Sequence, residues 1–128
     1  MTAYLSDAWI AAGPRDPAAE ALAAEGATAA IGRVVTGAPD GEARFTVRID
    51  GGSVSYEAGI ADGVDLTLTD TYANAVAILA GEADPNALFM RGRTKVAGST
   101  RVLLDLLAST RTGSYRAARQ ALADTVEV

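Results

Sequence analysis

The sequence contains no cysteine and no histidine. Without cysteine the chain cannot form a disulfide, a thiolate nucleophile, an iron–sulfur cluster or a cysteine zinc site. Without histidine it lacks the commonest metal ligand and the side chain that naturally titrates near neutral pH. These absences exclude Ser-His-Asp and Cys-His hydrolases and histidine-dependent zinc enzymes, and we expect no metal and no cofactor.

Positive charge is also scarce, because 11 Lys and Arg residues face 16 Asp and Glu residues, which gives a net charge of −5. Acidic proteins repel phosphate, so we expect no nucleic-acid partner. The charge is uneven: residues 1–90 hold 4 basic and 13 acidic groups, whereas residues 91–128 hold 7 basic and 3 acidic groups. This distribution is typical of a domain whose halves complement each other, and the alternative is a weakly basic patch that meets anionic headgroups or a carboxylate.

No apolar run approaches the ~20 residues that a membrane span needs. The beginning of the chain also lacks the basic stretch and apolar run of a secretory signal. We therefore expect a cytoplasmic protein with at most transient membrane contact. The 128 residues suffice for one hydrophobic core but not for two, which predicts a single domain over residues 1–128.

Several segments alternate apolar and polar residues, which predicts half-buried antiparallel strands. The predicted strands are a weaker one at Ala29–Thr36, three clear ones at Ala43–Asp50, Ser53–Ile60 and Val64–Thr69, and a short fifth one at Gly92–Ala97. The turn at Asp50-Gly51-Gly52 is a strong hairpin signal. Together these features predict a meander of three strands followed by a fourth strand.

Capping residues and apolar spacing predict helices before and after these strands. The predicted helix starts are Ser6 before Asp7–Ala12, Asp16-Pro17, Asp70 before Thr71–Ala80, Asp84-Pro85, Ser99 and Ser114. The order of helices and strands predicts an α+β fold, with a curved sheet and helices packed on one face.

The second half of the chain carries an ordered set of motifs. The motifs are Val64–Thr69, a helix that closes on Gly81, the Asp84-Pro85 turn, Phe89-Met90 and the short strand that ends at Gly98. In this order they resemble the type-2 sterol carrier protein family. The resemblance covers about Ile31–Leu107, and the opening Tyr4–Ile10 is similar to small stand-alone bacterial members.

The resemblance implies a five-stranded, mostly antiparallel sheet with helices on one face and an apolar cavity between the layers. In this family such a cavity holds a fatty acyl, sterol-like or terpenoid lipid. The resemblance therefore implies binding and transfer of a hydrophobic ligand, without catalysis and with no catalytic residue to carry over. We also consider a homodimer.

The predicted ligand-binding residues are those that face the cavity from the strands and the covering helices. They are Phe45, Val47, Val54, Tyr56, Leu66, Tyr72, Val76, Phe89, Met90, Leu103, Leu106 and Leu107. The same apolar stripes equally describe an ordinary packed core, and only the family resemblance favours a cavity. Arg91, Arg93 and Lys95 form a row that predicts one charged strand face, which either meets solvent or contacts a headgroup or membrane.

Two other classes of function stay open. The first is a small histidine-free enzyme, of isomerase or epoxide hydrolase type, that acts on an apolar substrate through a buried carboxylate. Asp65 and Asp105 are the acids that we identify within apolar segments, and both are predicted to point outward. The second is a structural or interaction domain with a dry core, which bound ligand in the purified protein would contradict.

Overall fold

The computed structural model describes all 128 residues of the chain. Seven strands and six helices follow one another along it. In chain order they are β1 (Thr2–Ala3), α1 (Asp7–Ala12), α2 (Pro17–Ala24), β2 (Thr28–Ala38), β3 (Gly41–Asp50), β4 (Ser53–Ala58), β5 (Leu66–Thr71), α3 (Tyr72–Leu79), α4 (Pro85–Met90), β6 (Lys95–Gly98), α5 (Thr100–Ser109), α6 (Gly113–Ala123) and β7 (Val126–Glu127). The α+β class predicted from the sequence is confirmed.

Short polar side chains begin the helices, where they accept hydrogen bonds from backbone amides that have no partner inside the helix. Ser6 accepts from the Trp9 amide at 3.2 Å and begins α1. Asp16, Asp84 and Ser99 begin α2, α4 and α5 in the same way. These four helix starts confirm the sequence prediction.

Two predicted helix starts are wrong. Helix α3 is capped by Thr71 rather than by Asp70, since Asp70 is still part of β5 and is buried. Helix α6 is capped by Thr112 rather than by Ser114, which places Ser114 inside the first turn. In both cases two nearby residues have side chains that suit a cap. The backbone conformation decides which of the two begins the helix.

The main sheet has the strand order β4-β3-β2-β5-β6, and every pair is antiparallel except β2 and β5, which are parallel. Strand β2 was the weakest in the sequence pattern, yet it is the longest strand and lies at the centre. It is buried on both faces, by Ile31 and Val35 on one side and by Gly32 and Val34 on the other. A strand that is covered on both faces loses the alternation by which strands are recognised.

The helices cover one face of the sheet, which we call the inner face, and the core there consists of two apolar clusters. The first cluster includes Ile31 and Leu66 and lies against α2 and α5. The second includes Trp9, Phe45 and Leu122 and lies against α1, α3 and α6. The apolar residues of α2 are nearly all alanine, so this helix approaches its neighbours α5 and α6 closely.

The predicted strand Ser53–Ile60 ends early, at Ala58. Gly59 has a φ of 77°, a conformation that glycine adopts readily, and it turns the chain away from the strand. Ile60 therefore packs over Gly32 on the outer face of the sheet instead of joining the inner face. Thr46 holds this crossing, because its hydroxyl donates to the Gly59 carbonyl at 2.8 Å and accepts from the Ala61 amide at 2.9 Å.

The predicted strand Gly92–Ala97 is shifted, because β6 begins only at Lys95. Arg91 and Arg93 lie in the turn between α4 and β6, so the three basic residues do not form one face of a strand, as predicted. All three side chains are nevertheless exposed and close in sequence. We call Arg91–Lys95 the basic segment.

The two ends of the described chain meet beside the second cluster. Strands β1 and β7 form a parallel pair in which Thr2 lies opposite Val126. Val126 is buried together with Leu5 and Trp9. This small sheet holds α1 and the segment before it against the rest of the protein.

Candidate functional site

A pocket of about 70 Å³ lies between the inner face of the sheet and the helices, where the two apolar clusters meet. The sheet contributes Arg33, Val35, Phe45, Leu68 and Asp70. The helices and their flanking residues contribute the other walls, chiefly Tyr4, Leu5, Asp16, Ala18, Ala75, Ile78, Leu79, Phe89, Leu103, Leu106, Leu107, Tyr115 and Arg119. The pocket is therefore apolar along most of its wall and strongly polar at one place.

The polar place is a charged cluster formed by Asp16, Arg33 and Asp70. Arg33 Nη1 lies 3.5 Å from Asp16 Oδ2, and Arg33 Nη2 lies 3.6 Å from Asp70 Oδ2. Both carboxyl groups are buried, while the Arg33 side chain keeps 19% of its surface exposed. Charges in such surroundings are stable only when they are paired, and one guanidinium here serves two acids.

The sheet register brings Arg33 and Asp70 together. On β2, Arg33 lies on the inner face between Ile31 and Val35, and on β5 the same face carries Asp70. The parallel pairing places Val35 opposite Asp70 and Arg33 opposite Leu68, so the two charged residues are diagonal neighbours. Asp16 reaches them from the other layer, as the residue that caps α2.

The hydrogen bonds of the two acids are unequal. Asp70 Oδ1 accepts from the Thr94 hydroxyl at 2.6 Å. Asp16 Oδ1 accepts from the Ala18 amide at 3.2 Å, which is the capping bond of α2. Asp16 Oδ2 is buried and has no hydrogen-bond partner in the structure. One acceptor of a residue that lines the pocket is thus unsatisfied, which is uncommon for a buried polar atom.

Burial and charge shift the titration of the groups around this cluster. Burial favours the neutral form of Arg33, but Asp16 and Asp70 outweigh burial, and the pKa of Arg33 is raised above its ordinary value. Burial also raises the pKa of the Tyr4 and Tyr115 phenols, which both line the pocket. Arg33 therefore stays charged and both phenols stay neutral over the whole physiological pH range.

Two further arginines line the pocket near its rim. Arg15 forms an ion pair with Glu20 at 2.7 Å and is partly exposed. Arg119 forms no ion pair, and its guanidinium lies over Gly81 at the end of α3.

Leu5 forms part of the wall with a φ of 62°, a conformation that is strained for a residue with a side chain.

A comparison with protein-family models matches residues 10–108 to the SCP-2 sterol transfer family. The match covers most of the chain. The chain belongs to the SCP-2 sterol transfer family. This confirms the resemblance seen in the sequence, and lipid and sterol binding and transfer are the activities associated with this family.

Solved structures of the same fold support this assignment. A crystal structure of sterol carrier protein 2 is 18% identical, with a TM-score of 0.62 over 91% of this chain and 97% of that one. The palmitated SCP2L2 of Aedes aegypti is 15% identical, with a TM-score of 0.59 over 82% and 86%. The sterol carrier protein domain 2 of Helicoverpa armigera is 19% identical, with a TM-score of 0.56 over 84% and 77%. A search of curated proteins found no significant match.

These similarities show the fold, and sterol carrier proteins of this kind are generally carriers rather than catalysts. No helix of this SCP-2 family member has both the length and the apolar character needed to cross a bilayer.

The structure divides the twelve predicted site residues of this family member into two groups. Five of them line the pocket: Phe45, Phe89, Leu103, Leu106 and Leu107. The other seven lie elsewhere: Val47, Val54, Tyr56, Leu66, Tyr72, Val76 and Met90. That any of the five contacts a ligand stays a prediction.

The residues outside the pocket are placed there for different reasons. Val47 and Leu66 are fully buried within the first cluster, so they form solid core. Val54 and Tyr56 are partly buried against the core, and the Tyr56 hydroxyl accepts from the Asp16 amide at 2.9 Å. Met90 is 83% exposed, because α4 turns Leu88 inward instead.

Helix α3 also presents a different face from the one predicted. Tyr72 and Val76 are only partly buried, while Ala75, Ile78 and Leu79 line the pocket. Helix α3 begins at Tyr72, one residue later than predicted. The first residue of the helix that lines the pocket is Ala75, which is small and buried. Tyr72 packs beside Tyr4 instead, with ring centroids 6.4 Å apart.

The charged cluster of Asp16, Arg33 and Asp70 was not predicted from the sequence. Asp65 and Asp105, the acids identified within apolar segments, are both exposed, as expected from the sequence. The strand pattern nevertheless contains a signal for this cluster. Arg33 is two positions from both Ile31 and Val35, so the three side chains share one face of the strand. A charged residue on an otherwise apolar face indicates a buried charge.

Proposed function

We propose that the protein binds one hydrophobic molecule, of fatty acyl, sterol-like or terpenoid type, in this pocket and transfers it without chemical change. The observation that carries the proposal is the pocket itself, which lies between two apolar clusters in a chain of the SCP-2 family. Phe45, Phe89 and the leucines of α5 would contact the apolar part of the ligand. Burial of each CH₂ group contributes about 0.8 kcal/mol.

The volume of the pocket limits how a long ligand can bind. About 70 Å³ is far below the roughly 300–1,000 Å³ of pockets that enclose whole small molecules. A lipid must therefore separate the layers further, and α4 is the element best suited to move. This helix has only six residues and carries Phe89 on the pocket wall. Its movement would break the hydrogen bonds that the Asn86 side chain donates to Leu107 O at 3.2 Å and to Thr110 Oγ1 at 2.9 Å.

Extraction of the purified protein tests this proposal. We expect organic extracts analysed by mass spectrometry to contain acyl or terpenoid lipids in near-stoichiometric amounts. The delipidated protein should then take up a fluorescent fatty acyl probe and release it chemically unchanged to lipid vesicles.

Two results would contradict the proposal. The first is an organic extract that contains no lipid, together with failure of the delipidated protein to take up the probe. This result would indicate a dry core, as in the structural-domain alternative. Conversion of the probe into a product would support the enzyme hypothesis instead.

A further inference from the structure

We propose that the charged cluster of Asp16, Arg33 and Asp70 binds the hydroxyl group of a neutral lipid alcohol, and that the pocket therefore selects an alcohol over the fatty acid of the same chain. The inference rests on the proposed function, because it assigns the headgroup of a ligand whose apolar chain the rest of the pocket would hold. It depends on the geometry of two groups, Asp16 Oδ2 and the Arg33 guanidinium.

Asp16 Oδ2 requires a hydrogen-bond donor. Asp16 lines the pocket, its Oδ2 atom is buried without a partner, and the nearest cationic group, Arg33 Nη1, is 3.5 Å away. That distance exceeds the roughly 2.7–3.2 Å of an N–H···O hydrogen bond, so the ion pair leaves the lone pairs of Oδ2 free. A ligand that donates here would satisfy an acceptor that the protein leaves unpaired.

Arg33 requires an acceptor at the same place. Its guanidinium is 3.6 Å from Asp70 Oδ2 as well, so it forms no close hydrogen bond to either acid. A guanidinium carries only donors, whereas a hydroxyl group carries one donor and two lone pairs. A hydroxyl that donates to Asp16 Oδ2 and accepts from Arg33 thus satisfies both groups at once.

Other headgroups match this cluster less well. A carboxylate only accepts hydrogen bonds, so it leaves Asp16 Oδ2 unpaired and brings a third acid beside Asp16 and Asp70. An ammonium group donates to Asp16 but offers no acceptor to Arg33 and is repelled by its charge. The rim offers one competing site for a carboxylate, namely Arg119, which has no ion-pair partner.

Competition binding on the delipidated protein tests the inference with hexadecanol, hexadecanoate and hexadecylamine, which share one chain and differ in headgroup. Each ligand displaces the same fluorescent probe. We expect hexadecanol to bind at least about tenfold more tightly than hexadecanoate, a difference of about 1.4 kcal/mol. Hexadecylamine should also bind more weakly than hexadecanol.

Asp16→Asn is the decisive variant. Asparagine caps a helix as well as aspartate does, so α2 keeps its start. The amide removes one negative charge beside Arg33. We therefore expect the variant to bind hexadecanol more weakly and hexadecanoate more tightly, so that the preference for the alcohol disappears. Asp84→Asn is the matched control, because Asp84 also precedes a proline and caps a helix but is exposed. It should keep the preference of the wild-type protein.

The outcomes separate this inference from the function on which it rests. Equal affinity for alcohol and acid in the wild-type protein would overturn the inference while leaving lipid binding intact, and this comparison needs no variant to fold. A preference for hexadecanoate that is lost in Arg119→Gln would place the headgroup at the rim and also overturn it. A clean extract together with failure of the delipidated protein to take up the probe would contradict the proposed function itself. Uptake of a probe that none of the three ligands displaces would overturn only the inference.

Discussion

The packed core and the pocket meet at Leu106. This residue is 2% exposed, belongs to the first apolar cluster and lines the pocket. Its neighbour Leu104 lies on the same helix, is 57% exposed, and touches neither of these regions. The two leucines therefore provide a matched pair for testing whether volume added at the pocket wall enters free space or a filled core.

We expect Leu106→Trp to keep the fold and to shift the melting temperature of the delipidated protein by only a few degrees, roughly ±5 °C. The indole can extend into the pocket, whereas in a filled core the added volume would cost about 1–3 kcal/mol. Uptake of the fluorescent acyl probe should fall at least about tenfold, because the ring occupies space that the ligand needs. Thermal unfolding and probe titration measure the two effects.

Leu104→Trp should change neither uptake nor stability, since its side chain points to solvent. If Leu106→Trp unfolds the delipidated protein, the site is ordinary core. If the variant folds and binds the probe normally, the ligand lies elsewhere, nearer Phe89.

At the scale of elements, α4 leads directly into the basic segment. Met90 ends the helix in an exposed position, and Arg91, Arg93 and Lys95 follow, all exposed and none of them in an ion pair. Anionic lipid headgroups attract exposed basic residues by about 1 kcal/mol each near the membrane surface. The helix that we propose to move for the ligand thus lies next to the most cationic exposed turn of the chain.

Replacement of Arg91, Arg93 and Lys95 together by Gln should slow transfer of the probe to anionic vesicles by at least about tenfold. Transfer to neutral vesicles and uptake from solution should stay unchanged, because the pocket is untouched. High salt should remove the difference between the variant and the wild-type protein, since it screens exposed charges. Stopped-flow transfer measurements at low and high salt give these rates.

A second triple variant controls for net charge. Arg101, Arg111 and Arg116 are also exposed but belong to the α5 and α6 region. If their replacement by Gln slows transfer to the same degree, the overall charge of the protein matters and the basic segment has no special role.

At the scale of the whole molecule, no histidine is present to titrate near neutrality. The tyrosines titrate at higher pH than usual. Burial raises the pKa of Tyr4, Tyr56, Tyr72 and Tyr115 above the ordinary value of 10.0. In the unfolded chain these phenols ionise near pH 10, whereas the folded protein holds them neutral to higher pH. Their contribution to stability is therefore complete below about pH 10 and is lost as the pH rises further.

We accordingly expect stability and ligand binding to be nearly flat between about pH 6 and pH 8.5. Above about pH 10 the free energy of unfolding should fall steadily. Urea unfolding at a series of pH values, followed by tryptophan fluorescence, measures this profile. Tyr4→Phe should reduce the alkaline loss, whereas a steep change near neutrality would indicate a perturbed carboxylate and would support the enzyme hypothesis.

The residue pattern predicted the α+β class, the five strands of the main sheet and most helix starts, because these features depend on residues close together in the chain. The alternation in Ala43–Asp50 and the cap at Ser99 are examples. That the five strands form one sheet was implied by the family resemblance. Errors in the strands occurred where contacts with residues far away in the sequence determine the structure. Ile60 leaves its strand to cover Gly32 on the far face, and β2 lost its alternation because both of its faces are covered.

The sequence by itself determined the six helices and the five strands of the main sheet and, through the absence of cysteine and histidine, which chemistry is excluded. The short strands β1 and β7 were not predicted from it. Only the tertiary structure decided that Asp16, Arg33 and Asp70 meet on the pocket wall, and that Met90 faces solvent while Leu106 faces the pocket. The physical reason is that capping and strand alternation act over a few residues. The meeting of a helix cap with the inner faces of two paired strands depends on the sheet register and on how the layers pack.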